Sequence, residues 1–443
     1  MERSNEKKYR RMIETPVRAL ILRLAIPSTV SMLLNSLYGF ADAWFISRLG
    51  TSASGAVGIA FSVTSLIQAI GFTLGTGAGS LLSRALGAKR QEDANGYASL
   101  AFWLSLLLSG SVTLAGLSLL GPVIRMLGAT DTIFPYARSY AVYLFCSAPV
   151  MCAGFVLNNL LRAEGKAVFS MSGFVVGNLL NILLDPFFIF YLNMGCAGAS
   201  LATLIAQSAG LLVLLSAYVF RKSTVSLMPG HALRQFSKTG AILLTGLPSF
   251  FRQGLAGVAS ILLTRSARQW GDPAVAAFSV VSRIFLLLYS FCLGIGQGLM
   301  PAAGYNQGAG EHRRVLSLYR FSLILATGVM LALSIPTGIF APHIISFFRP
   351  DPGVVAIGSV ILRAQCTVLF LHGIIAVTNM LLQAVGRPFG AALIACARQG
   401  LFFLPLIFWL PAAFGITGLQ WTQAAADLLT FLLTLPFLIQ IFR

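Results

Sequence analysis

Three carboxylic acids, Asp42, Asp185 and Asp427, stand deep inside long apolar runs of this chain. A charge at mid-bilayer costs roughly 2.5–3.5 kcal/mol on insertion scales, so such acids are tied to ion pathways or paired inside a bundle. Asp185 has the richest company. Asn178, Asn181 and Asp185 are spaced i, i+3 and i+7, one stripe of a helix. Pro186 follows, and its ring leaves the carbonyl of Ile182 without its usual helical donor. A carboxylate, two amides and a freed carbonyl form an all-oxygen, hard-ligand environment suited to Na+. The same carboxylate suits H+ equally well. Asn35, Tyr38 and Asp42 repeat the spacing in the first apolar run, and Ser200, Thr203 and Gln207 repeat it in the sixth. Three polar stripes in one half of the chain point to a hydrated cavity. The plainer alternative is a set of interhelical hydrogen bonds that only hold the bundle together. Tyr38 is the aromatic expected in the cavity, where it could stack on a cationic ligand.

The elements that must position these side chains are membrane helices. Hydrophobic residues make up 57% of the 443 and charged residues only 10%, against about 25% charged in a soluble domain. Twelve apolar runs long enough to cross a bilayer start near residues 18, 53, 93, 133, 168, 196, 239, 273, 316, 353, 388 and 416. They are continuous rather than alternating, which makes them helices and not barrel strands. The net charge of +18 could suggest nucleic acid, but its distribution argues otherwise. With both termini cytoplasmic, 21 of the 31 Lys and Arg fall in inside segments, six in outside loops, and Arg252, Arg283, Arg363 and Arg398 within or near spans. That bias is the positive-inside rule and orients the chain in the cytoplasmic membrane. The basic arm, with Arg3, Lys7, Lys8, Arg10 and Arg11, is expected to rest on anionic headgroups. No cleavable signal peptide is expected, since the first apolar run begins late and is long.

The runs belong to a duplication. Asn158–Lys166 (NNLLRAEGK) reappears as Asn379–Arg387 (NMLLQAVGR), five of nine positions identical at an offset of 221. The same shift carries Pro27 onto Pro248, Gly75 and Gly77 onto Gly296 and Gly298, and Gly87 onto Gly308. Each copy has six spans, so the two are parallel repeats related by an axis along the membrane normal. The expected organisation is an arm (1–17), a first lobe (18–220), a cytoplasmic linker (221–238) and a second lobe (239–443). The copies differ in their acids: Asp42 falls opposite Leu262 or Leu263, and Asp185 opposite Pro405 or Leu406. Ion chemistry is therefore expected mainly in the first lobe. Asp427, opposite Gln207, reads either as a second titrating group or as a hydrogen-bonded bundle residue. Asn158 and Arg162 recur as Asn379 and Gln383, and Arg162 with Glu164 is placed as a cap or latch on the inner face.

The runs Gly75-x-Gly77-x-Gly79 and Gly294-x-Gly296-x-Gly298 sit inside spans with no preceding strand, so close helix packing is expected of them rather than phosphate binding. No GxxxxGK[ST], HExxH or GxSxG occurs, which leaves an enzyme reading little support. The six cysteines lack CxxC spacing and read as packed free thiols, and of the four histidines only His372 is expected within a span.

Several segments resemble the multidrug and toxin extrusion (MATE) family, in its branch of bacterial drug and cation efflux proteins. They are IPSTVSMLLNSLYGFADAWFISRLG in span 1, GNLLNILLDPFFIF in span 5, GCAGASLATLIAQ in span 6, and LGAKR and GYNQGA at the inner ends of spans 2 and 8. The resemblance covers residues 15–440. It implies an all-α membrane protein of twelve helices in two six-helix lobes forming a V, exporting organic cations in exchange for H+ or Na+. It places the cation site, for H+ or Na+, on Asp42, Asn181, Asp185 and Thr203, with Asn158 nearby, and a helix bend at Pro27. Another branch uses acids of helices 7 and 10. Here span 7 offers Arg252 and Gln253, and span 10 has no acid. The expected partners are small organic cations and the lipid bilayer, with no cofactor, no nucleic acid, and a functional monomer. Two rival readings stand beside the antiporter: a flippase for a lipid-linked sugar, holding phosphates with Arg252, Arg283 and Arg363, and a membrane scaffold or receptor without transport.

Overall fold

The structure is a computed structural model that describes residues 2–220 and 222–442, without the side chains of residues 2–5, 7, 8, 43, 47, 51, 52 and 54. Arg221 and the side chains of Arg3, Lys7 and Lys8, named above for linker and arm, lie outside the described residues. The described chain is helical throughout, with no strand. Ten stretches are long and apolar enough to cross a membrane; the last of them, Pro388–Phe442, is divided at Gly415, and Thr239–Ala267 completes the set.

The first half comprises α1 (Val17–Ser47), α2 (Thr51–Gly87), α3 (Gln91–Ser118), α4 (Phe134–Ala163), α5 (Ala167–Pro186, then a π-helical turn Phe187–Tyr191) and α6 (Gly195–Val219). The second half comprises α7 (Thr239–Ala267), α8 (Asp272–Gly308), α9 (His312–Ile339) and α10, which runs Pro352–Leu369 and, past a turn at Phe370, Leu371–Val385. It ends with α11 (388–414, with a π-helical turn Ala397–Leu401) and α12 (416–442). Gly415 parts the last two with φ 63° and ψ −142°, a conformation that costs a residue with a Cβ.

The duplication is written into the packing. Asn158 Nδ2 donates to the Ser170 carbonyl at 2.8 Å, and Asn379 Nδ2 donates to the Ala391 carbonyl at 2.5 Å, the same brace 221 residues on. A Cβ on Gly87 would meet the Tyr305 carbonyl oxygen at 2.1 Å, and one on Gly308 would meet the Arg84 carbonyl oxygen at 2.1 Å, again reciprocal under the shift. Likewise a Cβ on Gly77 would meet the Ile242 carbonyl oxygen at 2.2 Å, and one on Gly298 the Ala25 amide at 2.6 Å. The glycines of the two runs therefore let α2 meet α7 and α8 meet α1 backbone to backbone, as small residues do where no hydrophobic effect drives association.

Polar contacts close the same seam near the end that bears both termini. Arg162 of α4 donates to Gln297 of α8 and to Asn158. The 221-shifted counterpart is Gln383 of α10, which donates to Thr76 of α2 at 3.1 Å and to the Thr245 carbonyl at 2.8 Å. The arm helix, Glu2–Glu14, lies across the seam. Met12 packs on Gly165 of the first half, its carbonyl accepts from Asn306 of the second at 3.1 Å, and the Thr15 carbonyl accepts from Arg314. Arg10 and Arg11 remain exposed.

The segment after α6 is strapped to α3. Ser223 and Thr224 donate to the buried Glu164 carboxylate at 2.6 and 2.7 Å, and Lys166 pairs with it. Gln91 donates to the Thr224 carbonyl at 2.7 Å, Trp103 to the Leu227 carbonyl at 3.0 Å, and Lys238 pairs with Asp93 at 2.6 Å. Residues 222–238 are thus a docked strap rather than a slack tether.

Candidate functional site

The half of the amino-terminal bundle away from the termini gathers its polar stripes onto one another. Asp185 is fully buried, Asn178 and Asn181 are 1% exposed, Thr203 5% and Asp42 9%. The i, i+3, i+7 spacing puts the α5 residues on the face that meets α6 and α1. With its amide oriented to satisfy both neighbours, Asn181 donates to Asp185 Oδ2 at 2.9 Å and accepts from Thr203 Oγ1 at 3.1 Å. Tyr38 of α1 comes within hydrogen-bonding reach of Thr203 and stands in the field of both Asp42 and Asp185. The two carboxylates act on each other as well.

Several atoms here are buried without a protein partner: Asp42 Oδ1, Asp185 Oδ1, and both amide atoms of Asn178. Buried polar groups are nearly always hydrogen-bonded to protein, to ordered water or to a bound ion, so this concentration of unpartnered oxygens marks a polar site. Three of the four atoms are oxygens of the hard type that hold Na+ or a proton. Two buried carboxylates within each other's field are also most easily accommodated with a cation or a proton nearby.

Other residues singled out in the sequence lie elsewhere. Asn158 and Arg162 belong to the seam: Asn158 braces Ser170, fifteen positions before Asp185 on α5, or roughly 22 Å along a helix. Asn35 and Gln207 are half-buried on the helices that carry Tyr38 and Thr203. Pro27 is buried in an unbroken α1, between Ala25 and Thr29, which press on Gly298 and Gly294 of α8. Pro186 closes the regular part of α5, and the π-helical turn follows it.

Asp427 sits in the other half in a network of its own. Arg398 of α11 donates to it at 2.9 Å, His372 of α10 approaches at 3.1 Å, and Gln423 donates at 3.0 Å. These contacts tie α10, α11 and α12 together around its carboxylate. Of the arginines considered for phosphate, Arg283 lies over the Phe40 ring at 5.9 Å and acts on Asp42. Arg252 donates to Ser249 at 3.2 Å, and Arg363 donates to the Gly338 carbonyl at 3.3 Å.

Linear pattern missed two neighbours of the first-half site. Tyr140 of α4 is 6% exposed and stands in the field of Asp42, Tyr38 and Asp185, and Cys196 at the start of α6 is near Asp42. Tyr140 shares an i, i+3, i+7 stripe with Tyr143 and Ser147, but that stripe holds no acid or amide to single it out, so the packing reveals it. Among the described residues, no three His, Cys, Asp or Glu side chains converge as a metal cage.

Twelve helices in two parallel six-helix repeats, with a pair of acids, Asp42 and Asp185, buried in the first of them, define the class: an integral membrane transporter of duplicated architecture. The MatE family profile matches twice, over residues 27–187 and 248–409, and the chain belongs to this family of multidrug efflux transporters. It is 29% identical over 418 residues to the multidrug export protein MepA of Staphylococcus haemolyticus (strain JCSC1435), covering 94% of this chain and 91% of the relative. It is also similar to a solved multidrug resistance MATE family transporter of the MOP superfamily in an outward-facing conformation, with a TM-score of 0.91, 26% identity and 97% of each chain covered. A solved MATE in complex with MaL6 superposes with a TM-score of 0.90 at 26% identity, over 97% of this chain and 98% of the other. The V-shaped twelve-helix fold is common to them.

Proposed function

We propose that the protein is a secondary antiporter that exports organic cations across the cytoplasmic membrane in exchange for H+ or Na+. Both termini lie in the cytoplasm, and the unit of function is one chain. The observation that carries this reading is the pair Asp42 and Asp185, each buried with an unpartnered oxygen around the Asn181–Thr203–Tyr38 cluster. Two mutually repelling buried carboxylates favour a cation of some kind beside them. An inorganic ion and a lipophilic cation then compete for the same charge, and competition of this sort is the root of exchange. Exchange becomes transport only if each ligand binds the two conformations differently.

Helix α1 supplies that link. It carries Tyr38 and Asp42 at one end, and at the other the Ala25–Thr29 segment seated on the glycines of α8. A bend at Pro27 on ion binding would alter cavity and seam together. Dye efflux from everted vesicles, with Na+ and pH gradients imposed separately, tests the reading. Asp185→Asn and Asp42→Asn should each lose roughly tenfold or more of gradient-driven efflux, the consequence of removing over ~1.4 kcal/mol of ion binding. An Asp185→Asn protein with normal expression and full gradient-driven efflux would overturn it.

A further inference from the structure

The carboxy-terminal half contains a buried charged cluster that the exchange just described does not use. His372 is 1% exposed and Asp427 fully buried. Two of the three helices that meet there are interrupted at the cluster. His372 follows the turn at Phe370 in α10, and Arg398 lies in the π-helical turn of α11. Both hold the carboxylate of Asp427 on α12, Arg398 at 2.9 Å and His372 Nε2 at 3.1 Å. Interrupted helices and π-turns inside membrane bundles concentrate at binding sites, where backbone irregularity serves a side chain.

The hydrogen bonding sets the histidine's tautomer. A carboxylate only accepts, so Nε2 carries the hydrogen and Nδ1 keeps a bare lone pair. Nδ1 is buried and has no partner. Helix α8 closes the site with Phe285 and Tyr289, whose rings stand 5.2 and 5.4 Å from the imidazole, while Arg398 lies 4.9 and 5.3 Å over the same two rings. The Cys292 thiol donates to the His372 carbonyl at 3.2 Å, Gln423 of α12 donates to Asp427, and Arg252 of α7 acts on Tyr289. Helix α9 presses its Thr327 backbone on Gly373 and brings no titratable group among the described residues. With a neutral imidazole the cluster balances one negative charge against Arg398.

We propose that His372, held between Asp427 and the α8 rings, is a second proton-binding site of this transporter, and that its protonation works against the arrangement seen here. The proton comes from water and adds to Nδ1, giving an imidazolium with Nε2–H still on Asp427 and a new Nδ1–H that meets no acceptor. A buried donor without an acceptor costs about 1–3 kcal/mol, and a second cation now shares Asp427 with Arg398. The protonated cluster therefore favours any arrangement that offers Nδ1–H an acceptor. By reciprocity, lower pH moves the protein away from the seam-closed state. A route to the seam exists: Ser290, adjacent to Tyr289, shares a 2.7 Å hydrogen bond with Ser36 of α1.

The proposal stands apart from the first-half site, and its test separates the two. A Ser80→Cys reporter, at a buried position beside the Arg162–Gln297 contact, is placed in full-length protein whose Asp42 and Asp185 are both changed to Asn. Its labelling by a membrane-impermeant maleimide is followed from pH 5.5 to 8 without substrate. Labelling should rise several-fold toward low pH, within the roughly 5–150-fold span of conformational couplings, and His372→Gln should flatten the rise. A flat profile before His372 is changed, or an unaltered rise afterwards, overturns the proposal. Wild-type protein gives a readout that needs no variant to fold. It has four histidines, of which only His372 is buried, so 15N-imidazole NMR should show one Nε2–H tautomer at high pH that becomes doubly protonated at low pH. A buried histidine that keeps one tautomer throughout, or already carries hydrogen on Nδ1 at high pH, overturns it as well.

Discussion

The seam offers the most direct quantitative test of how the two halves are held. Arg162 reaches out of the first half to Gln297, and the duplication places Gln383 and Thr76 in the mirrored roles. In Gln297→Leu the guanidinium of Arg162, only 4% exposed, keeps Asn158 as its remaining partner among the described contacts. A hydrogen bond involving a charged group is worth about 1.5–3 kcal/mol, which converts to a shift of roughly 10- to 150-fold away from the closed seam. Gln383→Leu removes one neutral hydrogen bond across the seam, to Thr76, worth about 0.5–1.5 kcal/mol net, and should shift the equilibrium the same way by less. The assay is the labelling rate of a Ser80→Cys reporter by a membrane-impermeant thiol reagent applied from the side bearing the termini. Protein lacking the reporter gives the background from the native cysteines, of which Cys146 and Cys396 are half-buried. Rates within twofold of the unmutated seam, in protein that expresses and purifies normally, would refute the idea that these side chains lock the halves.

Two further outcomes follow from the same packing. Gly87→Ala drives a Cβ to within 2.1 Å of the Tyr305 backbone, which cannot yield as a flexible side chain would, so reporter labelling should rise and dye efflux should fall. Gly39→Ala, where nothing lies within 4 Å, is the matched control and should leave both unchanged. In Glu164→Gln the charge behind the contacts from Ser223, Thr224 and Lys166 is lost. Charge-assisted bonds are about twice as strong as neutral ones, so trypsin should cut after Lys222 faster by roughly tenfold, as read on gels.

The architecture of this protein was legible in its residues because membrane helices obey one-dimensional rules. Continuous apolar length sets the spans, and the structure starts its helices at Val17, Thr51, Gln91 and onward close to the expected positions. The 221-residue shift already paired Asn158 with Asn379 and Gly87 with Gly308, and the stripe Asn178–Asn181–Asp185 already shared a helical face. What a single chain pattern does not contain is the partner across a gap. Tyr140 joins Asp42 and Asp185 from another helix, on a stripe with no acid or amide to announce it. His372, Arg398 and Asp427 are acceptable one at a time as isolated polar residues in three separate spans. Only their convergence, at 2.9 and 3.1 Å, turns them into a cluster. The seam is of the same kind: the shift names Arg162 and Gln383 as equivalents, but which residue each one grips depends on how the halves dock. Local spacing determined the helices and their polar faces, because hydrophobic length and helical pitch act along the chain. Tertiary packing decided which faces meet, because in lipid that choice rests on backbone fit and hydrogen bonding between distant segments.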